Sequence, residues 1–237
     1  MSEQVHNRPQ DDVIISAEAL KKAEEFIEEE EGASNRFSGG LGKALTAAAI
    51  VMSLVHLYAA YAIIPAFILR AVHVGFMLVL SYLLFPAAKG LRHRLQWYDV
   101  AFALISVGII AYMMYYGEDF GDRATAPNTL DTIIGIALVL LILEAARRTS
   151  GWIMPGVVVC FILYALFGPA LPPPWTHRGF SVPQLVGHLY MTLEGIFGVA
   201  IDVSSTLIIL FTIYGAFLQD SGAGKFFIDF SFAAMGG

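Results

Sequence analysis

The sequence is poor in charged residues. Only 14% of its 237 residues are Asp, Glu, Lys or Arg, whereas 57% are hydrophobic and the mean hydropathy is +0.67. Soluble domains carry about 25% charged residues. A chain with so little charge cannot cover its surface as a soluble domain does, so we expect lipid to be its solvent.

Cysteines and catalytic motifs are scarce as well. The single cysteine, Cys160, lies in an apolar run and supports neither a disulfide framework nor a zinc site. The chain contains no HExxH, GxSxG or P-loop pattern, and no pair of carboxylates at a catalytic spacing. No basic, aromatic stretch indicates a nucleic-acid surface. The sequence therefore predicts neither an enzyme nor a nucleic-acid-binding protein.

Residues 1–40 are acidic and soluble in character, and they supply most of the net charge of -6. Ser16 is placed to cap a helix that Gly32 would end. This pattern predicts a short surface helix or a partly disordered tail on the cytoplasmic side. A helix that docks on a partner is the alternative.

Six apolar segments follow, each long enough to approach the roughly 20 residues that a membrane-spanning helix needs. They are Leu41–Ile64, Ala66–Ala88, Tyr98–Tyr116, Leu130–Ala146, Trp152–Ala170 and Ile201–Leu218. Asn128 and Asp131 stand at capping-box spacing before the fourth segment. The predicted fold class is therefore all-α, a polytopic membrane protein with about six transmembrane helices.

A further helix is predicted between the fifth and sixth spans, in LPPPWTHRGFSVPQLVGHLYMTLEG. The prolines exclude a helix at its start, whereas Ser181 and Gln184 form a capping-box pattern. Apolar and polar side chains then take opposite faces: Val182, Leu185, Val186, Leu189, Tyr190 and Leu193 against Gln184, His188 and Thr192. This division predicts an interfacial amphipathic helix lying along the membrane surface, with packing on the protein as the alternative.

The distribution of Lys and Arg favours a cytoplasmic N-terminus. With alternating sides, the cytoplasmic positions are Arg8, Lys21, Lys22, Arg36, Lys43, Lys89, Arg92, Arg94, Arg147, Arg148 and Lys225. The outside positions are Arg123 and Arg178 only. Arg70 remains, inside the second span.

Polar residues inside or beside the spans are the candidate functional residues. Arg70 and His73 share a helix face in the second span. Arg70 lies near the outer end, where it can snorkel, so we assign it to anchoring or subunit packing, with a transport role as the alternative. His56 is interpreted as a neutral histidine bonded between helices. Asp202 is either a helix cap or part of a polar path.

A second group of candidates lies near the predicted inner interface. Glu144 precedes Arg147 and Arg148 by three and four residues, which predicts ion pairs on the helix surface. Binding of a phosphate head group is the alternative. Trp152 is interpreted as an interfacial anchor. Asp99 and Asp131 are interpreted as helix caps.

Two stretches carry a family resemblance. The first is RAVHVGFMLVLSYLLFP, followed by WYDVAFALI and LVLLILEAARRTSGW; the second runs from HRGFSVPQLVGHLYMTLEGIFG to GAFLQDSGAGKFFIDF. Together they resemble the N-terminal portion of fused permeases of the tripartite ATP-independent periplasmic (TRAP) transporters. The subgroup that works with TAXI-type binding proteins is the most similar.

The resemblance implies a division of the chain. Residues 41–150 would form the small four-helix unit, and residues 151–237 the beginning of the large transport unit, including a helix–turn–helix passage near its end. We accordingly expect the chain to stop inside the large unit. The family's sodium- and substrate-binding segments would lie beyond Gly237, so no cofactor, metal ligand or substrate ligand is assigned to this segment.

The implied function is sodium-coupled uptake of an organic acid across the bacterial inner membrane. A periplasmic binding protein would deliver the acid, and the large unit would carry it by an elevator motion against a static scaffold to which this segment belongs. The implied partners are that binding protein, the remainder of the large unit and membrane lipids. Two alternatives are a non-transporting scaffold that assembles with a separate transport subunit, and a membrane-embedded enzyme using His56, Arg70 and His73.

Overall fold

The computed structural model describes residues 39–88, 95–117 and 119–236, together with the single residues 22, 37 and 91. The helix predicted after Ser16 lies outside the described residues. The loop between the second and third spans holds three of the basic residues that predict the topology, Lys89, Arg92 and Arg94. They also lie outside the described residues.

Helices account for the regular structure of the described part of the chain, and no strand occurs there. They are α1 Gly39–Tyr61, α2 Ala66–Leu84, α3 Trp97–Tyr116, α4 Asp119–Asp122, α5 Thr129–Ser150, α6 Ile153–Phe167, α7 Val182–Met191, α8 Val199–Asp220 and α9 Ala223–Ala234. A 3₁₀ turn, Gly168–Ala170, extends α6, and α8 contains a π-helical segment, Ser204–Ile208.

Six of the described helices, α1, α2, α3, α5, α6 and α8, are long and apolar enough to cross a membrane. This confirms the predicted all-α polytopic fold class. The boundaries shift where local chemistry overrides hydropathy. The second segment ends at Leu84 rather than Ala88, because Phe85 precedes a proline and is extended. The fourth continues to Ser150, where Gly151 with φ 79° ends the helix.

The two predicted capping boxes are present. Asn128 Oδ1 accepts from the backbone N–H of Asp131 at 2.7 Å, and Asp131 Oδ2 accepts from the N–H of Asn128 at 3.1 Å. At the start of α7, Ser181 Oγ accepts from the N–H of Gln184 at 3.4 Å, and Gln184 Oε1 accepts from the N–H of Ser181 at 3.0 Å. Each box satisfies backbone donors that the first helical turn leaves free.

Helix α7 is shorter than its apolar pattern predicts. It ends at Met191, so the assignment of Thr192 and Leu193 to its two faces was wrong. The Thr192 hydroxyl bonds the carbonyl of His188, and the N–H of Ile196 bonds the carbonyl of Leu189, which folds the chain back along the helix. The buried side of α7 packs on the protein. Its position at the membrane surface stays a prediction.

The buried core runs between α2, α3, α5 and α7. Gly135 on α5 faces Val186 and Tyr190 of α7, and a β-carbon there would overlap both side chains. The glycine therefore permits the close crossing of these two helices. Phe120, on the short α4, is fully buried between aromatic rings of α2, α3 and α7.

The fifth and sixth spans pack on different helices of the preceding bundle. Helix α6 contacts α5, whereas α8 contacts α1 and α2. A turn at Ser221 and Gly222, the latter with φ 73°, joins α8 to α9, which gives the predicted helix–turn–helix passage. Following the predicted topology, we call the end that carries the starts of α2, α5 and α8 the outer end, and the opposite one the inner end.

Candidate functional site

Five polar side chains from three spans meet inside the apolar bundle. We call this group the polar seam: His56 of α1, Arg70 and His73 of α2, and Asp202 and Ser204 of α8. The three-residue spacing of Arg70 and His73 places both on the face that meets α8. The seam brings together the predicted candidates of the first two spans with residues of the sixth.

An ion pair forms the outermost part of the polar seam. Arg70 Nη2 lies 2.8 Å from Asp202 Oδ1, and Nε donates to the same oxygen at 3.1 Å. Arg70 Nη1 also donates to the carbonyl oxygen of Phe197 at 2.8 Å. Only 13% of the Arg70 side chain is exposed, against 44% for Asp202. The charge of Arg70 is therefore paired within the protein, where it ties α2 to α8.

A chain of hydrogen bonds forms the inner part of the polar seam. His56 Nδ1 lies 2.7 Å from the carbonyl oxygen of Met52, and His56 Nε2 lies 2.9 Å from His73 Nδ1. His73 Nε2 lies 2.9 Å from Ser204 Oγ. Both histidines are buried. Ser204 begins the π-helical segment of α8, a local irregularity that is frequent at functional sites.

The order Ser204, His73, His56 resembles a nucleophile, a base and an orienting group. Acyl transfer also needs free donors for the oxyanion. The backbone N–H of Ser204 instead donates to the carbonyls of Ala200 and Ile201 within the helix. The seam's side-chain bonds join α1, α2 and α8.

A second group, the inner arginine cluster, comprises Asp99, Glu144, Arg147 and Arg148. Arg148 Nη1 lies 2.6 Å from Asp99 Oδ1, and Nε donates to Glu144 Oε1 at 2.8 Å. Arg147 Nε donates to Glu144 Oε2 at 2.7 Å, and its guanidinium stacks over Trp152 at 5.3 Å. Within this cluster, two carboxylates pair with two guanidinium groups.

Asp99 was predicted only as a helix cap, but its carboxylate makes a second contact as well. Its Oδ2 accepts from the backbone N–H of Gln96 at 3.1 Å, while Oδ1 binds Arg148. Arg148 Nη1 also reaches the carbonyl of Phe85, so this single buried side chain joins α2, α3 and α5. Its guanidinium lies 4.9 Å from the ring of Tyr82.

A third group, the outer tyrosine cluster, comprises Tyr112, Arg123, Asp131 and Tyr190. Asp131 Oδ1 accepts from the hydroxyl of Tyr112 at 2.7 Å and from Arg123 Nη2 at 3.2 Å. The buried hydroxyl of Tyr190 has no hydrogen-bond partner within the described part of the chain. Burial, with a smaller effect of Tyr112 and Asp131, raises the pKa of the Tyr190 hydroxyl above its ordinary value.

Sequence reasoning missed the partners rather than the candidates. Ser204 was not singled out, and Asp202 was not joined to Arg70, 132 residues away. The available signal was a cluster of polar residues inside an otherwise apolar span, namely Asp202, Ser204, Ser205 and Thr206. Among the described residues, no group of three or more His, Cys, Asp and Glu side chains is arranged to hold a metal ion.

The comparisons with known proteins point to a transporter family. Residues 137–237 match the family model described as Tripartite ATP-independent periplasmic transporter, DctM component, which is a family of transporters and not of enzymes. The matched range begins within α5 and includes Asp202 and Ser204, whereas His56, Arg70 and His73 lie upstream of it. No curated protein and no solved structure matches the chain.

Proposed function

We propose that this chain is a membrane permease component of a TRAP transporter. In this role it serves sodium-coupled, secondary active uptake of an organic acid that a periplasmic binding protein delivers at the bacterial inner membrane. The observation that carries the proposal is the match of residues 137–237 to the DctM component, which takes in all of α6 to α9. Six apolar helices of spanning length agree with it.

The proposed division places a small four-helix unit at residues 41–150, fused to the beginning of the large unit at 151–237. The contacts of α8 with α1 and α2 support a fused arrangement, because a buried polar seam connects the two parts. The family match starts at residue 137, within α5, and so upstream of the proposed boundary. The assignment to the TAXI-associated subgroup rests on the sequence resemblance.

Within the transporter, we assign this segment to the static scaffold. The polar seam and the inner arginine cluster bond one helix to another. Trp97 and Trp152, both more than 70% exposed, lie at the starts of α3 and α6 near the predicted inner interface. Tryptophans at that depth fix helices in the bilayer. No sodium or substrate ligand is assigned to the described residues.

Uptake by whole cells tests the proposal. The gene is deleted in its native host, and sodium-dependent uptake is measured for a panel of radiolabelled mono-, di- and tricarboxylic acids, with choline replacing sodium as the control. We expect the deletion to abolish uptake of at least one acid and the complete native reading frame to restore it. Unchanged uptake of every acid, or uptake equally fast in choline, would contradict sodium-coupled transport by this protein.

The alternative is a scaffold that assembles with a separate transport subunit. It is favoured because the buried charges pair with one another within this chain. A tag at the native locus distinguishes the two. A purified polypeptide much heavier than 25.8 kDa supports the fused permease. A product of 25.8 kDa that retains a second integral protein supports the separate scaffold.

A further inference from the structure

The hydrogen-bond chain of the polar seam has a defined direction. The Met52 carbonyl oxygen only accepts, so His56 Nδ1 carries hydrogen and, in the neutral ring, His56 Nε2 is an acceptor. His73 Nδ1 must then donate to His56 Nε2, which leaves His73 Nε2 as an acceptor for the hydroxyl of Ser204. Both neutral rings are therefore held in the Nδ1–H tautomer.

Of the two ends of this chain, only the Ser204 end can reverse. A carbonyl cannot donate, but a hydroxyl can either donate or accept. If His73 Nε2 gains a proton, Ser204 Oγ can accept from it and turn its own hydrogen toward a backbone carbonyl one turn earlier, as serine often does in helices. The bonds of His56 to Met52 and to His73 stay as they are.

We propose that Nε2 of His73 is a proton-binding site. Its protonation reverses the hydrogen bond between His73 and Ser204, and so changes the contact between α2 and α8. The proton comes from hydronium, adds to the lone pair of His73 Nε2, and leaves an imidazolium and water. Binding reverses one hydrogen bond between α2 and α8 and breaks none within the histidine pair. This site goes beyond the proposed transport function and does not depend on it, since the site lies between helices of this chain alone.

The electrostatic surroundings decide when the proton binds. Arg70, one turn away, would repel it, but Asp202 pairs with that charge. Four helices pack against α2, and their other titratable or charged groups are Lys43, His56, Tyr58 and Tyr61 on α1; Tyr98, Asp99, Tyr112, Tyr115 and Tyr116 on α3; Asp131, Glu144, Arg147 and Arg148 on α5; and Tyr214 and Asp220 on α8. Of these, only His56 bonds His73.

Nitrogen NMR on the full chain in lipid nanodiscs tests the site, with ¹⁵N-labelled histidine and assignment by single substitution. Before acidification we expect the Nδ1–H tautomer for the rings of His56 and His73. On acidification, His73 Nε2 should become protonated. Ser204→Ala should lower the midpoint of that titration by about half to one pH unit. The protonated ring of His73, which donates to Ser204, loses a stronger hydrogen bond than the neutral ring, which accepts from Ser204.

Ser205→Ala is the matched control, since Ser205 Oγ bonds the carbonyl of Asp202 instead of a histidine. It should leave the His73 midpoint unchanged. The proposal is overturned if either ring is an Nε2–H tautomer at neutral pH, if His73 stays neutral until the chain unfolds, or if the two serine variants shift the midpoint equally.

Discussion

Arg70 on α2 and Asp202 on α8 form an ion pair that crosses the start of the family-matched range, with 2.8 Å between Nη2 and Oδ1. Asp202 belongs to the matched part and Arg70 to the part upstream. Any motion of α8 against α2 would have to break this pair and the hydrogen bond between Ser204 and His73. Under the proposed function, α8 therefore belongs with the static scaffold.

The two partners of this ion pair differ in exposure, which predicts unequal effects of their removal. Asp202→Ala leaves a guanidinium that is 13% exposed without its counter-charge, so we expect a loss of about 2–4 kcal/mol in the free energy of unfolding. Arg70→Leu leaves a carboxylate that is 44% exposed and can be hydrated, so the loss should be about 1 kcal/mol. Unfolding in mixed detergent–SDS micelles measures both.

The double variant of Arg70→Leu with Asp202→Ala is the control for this comparison. Because it removes the unpaired charge, it should recover most of the stability that Asp202→Ala loses. A loss for Arg70→Leu that equals or exceeds the loss for Asp202→Ala would show that the pair is not the arrangement described.

The inner arginine cluster predicts different tolerance at two adjacent arginines. Arg148 is fully buried and bonds Asp99, Glu144 and the carbonyl of Phe85, so Arg148→Lys should cost about 2–3 kcal/mol of unfolding free energy. Arg147 is partly exposed and bonds Glu144 and the carbonyl of Ala87, so Arg147→Lys should cost about 1 kcal/mol. Equal losses in the same SDS titration would contradict the cluster geometry.

Two glycines in neighbouring spans predict opposite results for the same substitution. Gly135→Ala places a methyl group against Val186 and Tyr190, which should push α7 from α5 and lower the melting temperature. Gly156 on α6 has nothing within 4 Å of the same position, so Gly156→Ala should leave the melting temperature unchanged or raise it. Thermal unfolding in detergent checks the pair. A Gly135→Ala protein as stable as wild type would show that α7 does not cross α5 as described.

Two buried tyrosine hydroxyls also predict a contrast. Tyr82 donates to the carbonyl of Leu141 at 2.5 Å, so Tyr82→Phe should cost about 1 kcal/mol of unfolding free energy. The hydroxyl of Tyr190 has no partner in the described part of the chain, so Tyr190→Phe should be neutral or stabilising. A clear loss for Tyr190→Phe would reveal a partner for that hydroxyl.

The raised pKa of Tyr190 adds a pH dependence. Above about pH 10 the hydroxyl ionises in the unfolded chain while the buried one stays neutral, so rising pH favours unfolding. Wild type should therefore lose more stability between pH 8 and pH 11 than Tyr190→Phe does. Thermal melts of the two proteins at both pH values give the comparison, and identical losses would contradict it.

Hydropathy and capping patterns predict most of the fold. Apolar runs of spanning length mark all six spans, because a bilayer requires about 20 apolar residues whatever their neighbours. Asn128 and Ser181 mark their helix starts, because capping depends on residues three apart in sequence. The end of α7 is not predictable in this way, because it depends on the hydrogen bond from the N–H of Ile196, outside the helix, to the carbonyl of Leu189.

The candidate site was only half predictable for a similar reason. Arg70 and His73 stand out, because ionisable groups inside a span are costly. Their partners on α8 depend on which spans pack together, and periodicity within one helix carries no information about that. Asp99 is the same case: its cap is local, whereas its bond to Arg148 joins residues 49 apart.

Exchange of the Arg70 and Asp202 charges in the transport assay tests the central claim most directly. In the deletion strain, Arg70→Asp and Asp202→Arg should each reduce sodium-dependent uptake of the restored acid by about tenfold or more, because like charges then face each other. The combined exchange should recover a large part of it at equal membrane levels of protein. Normal uptake by both single variants, or a combined exchange no better than either, would contradict a permease scaffold held together at this pair.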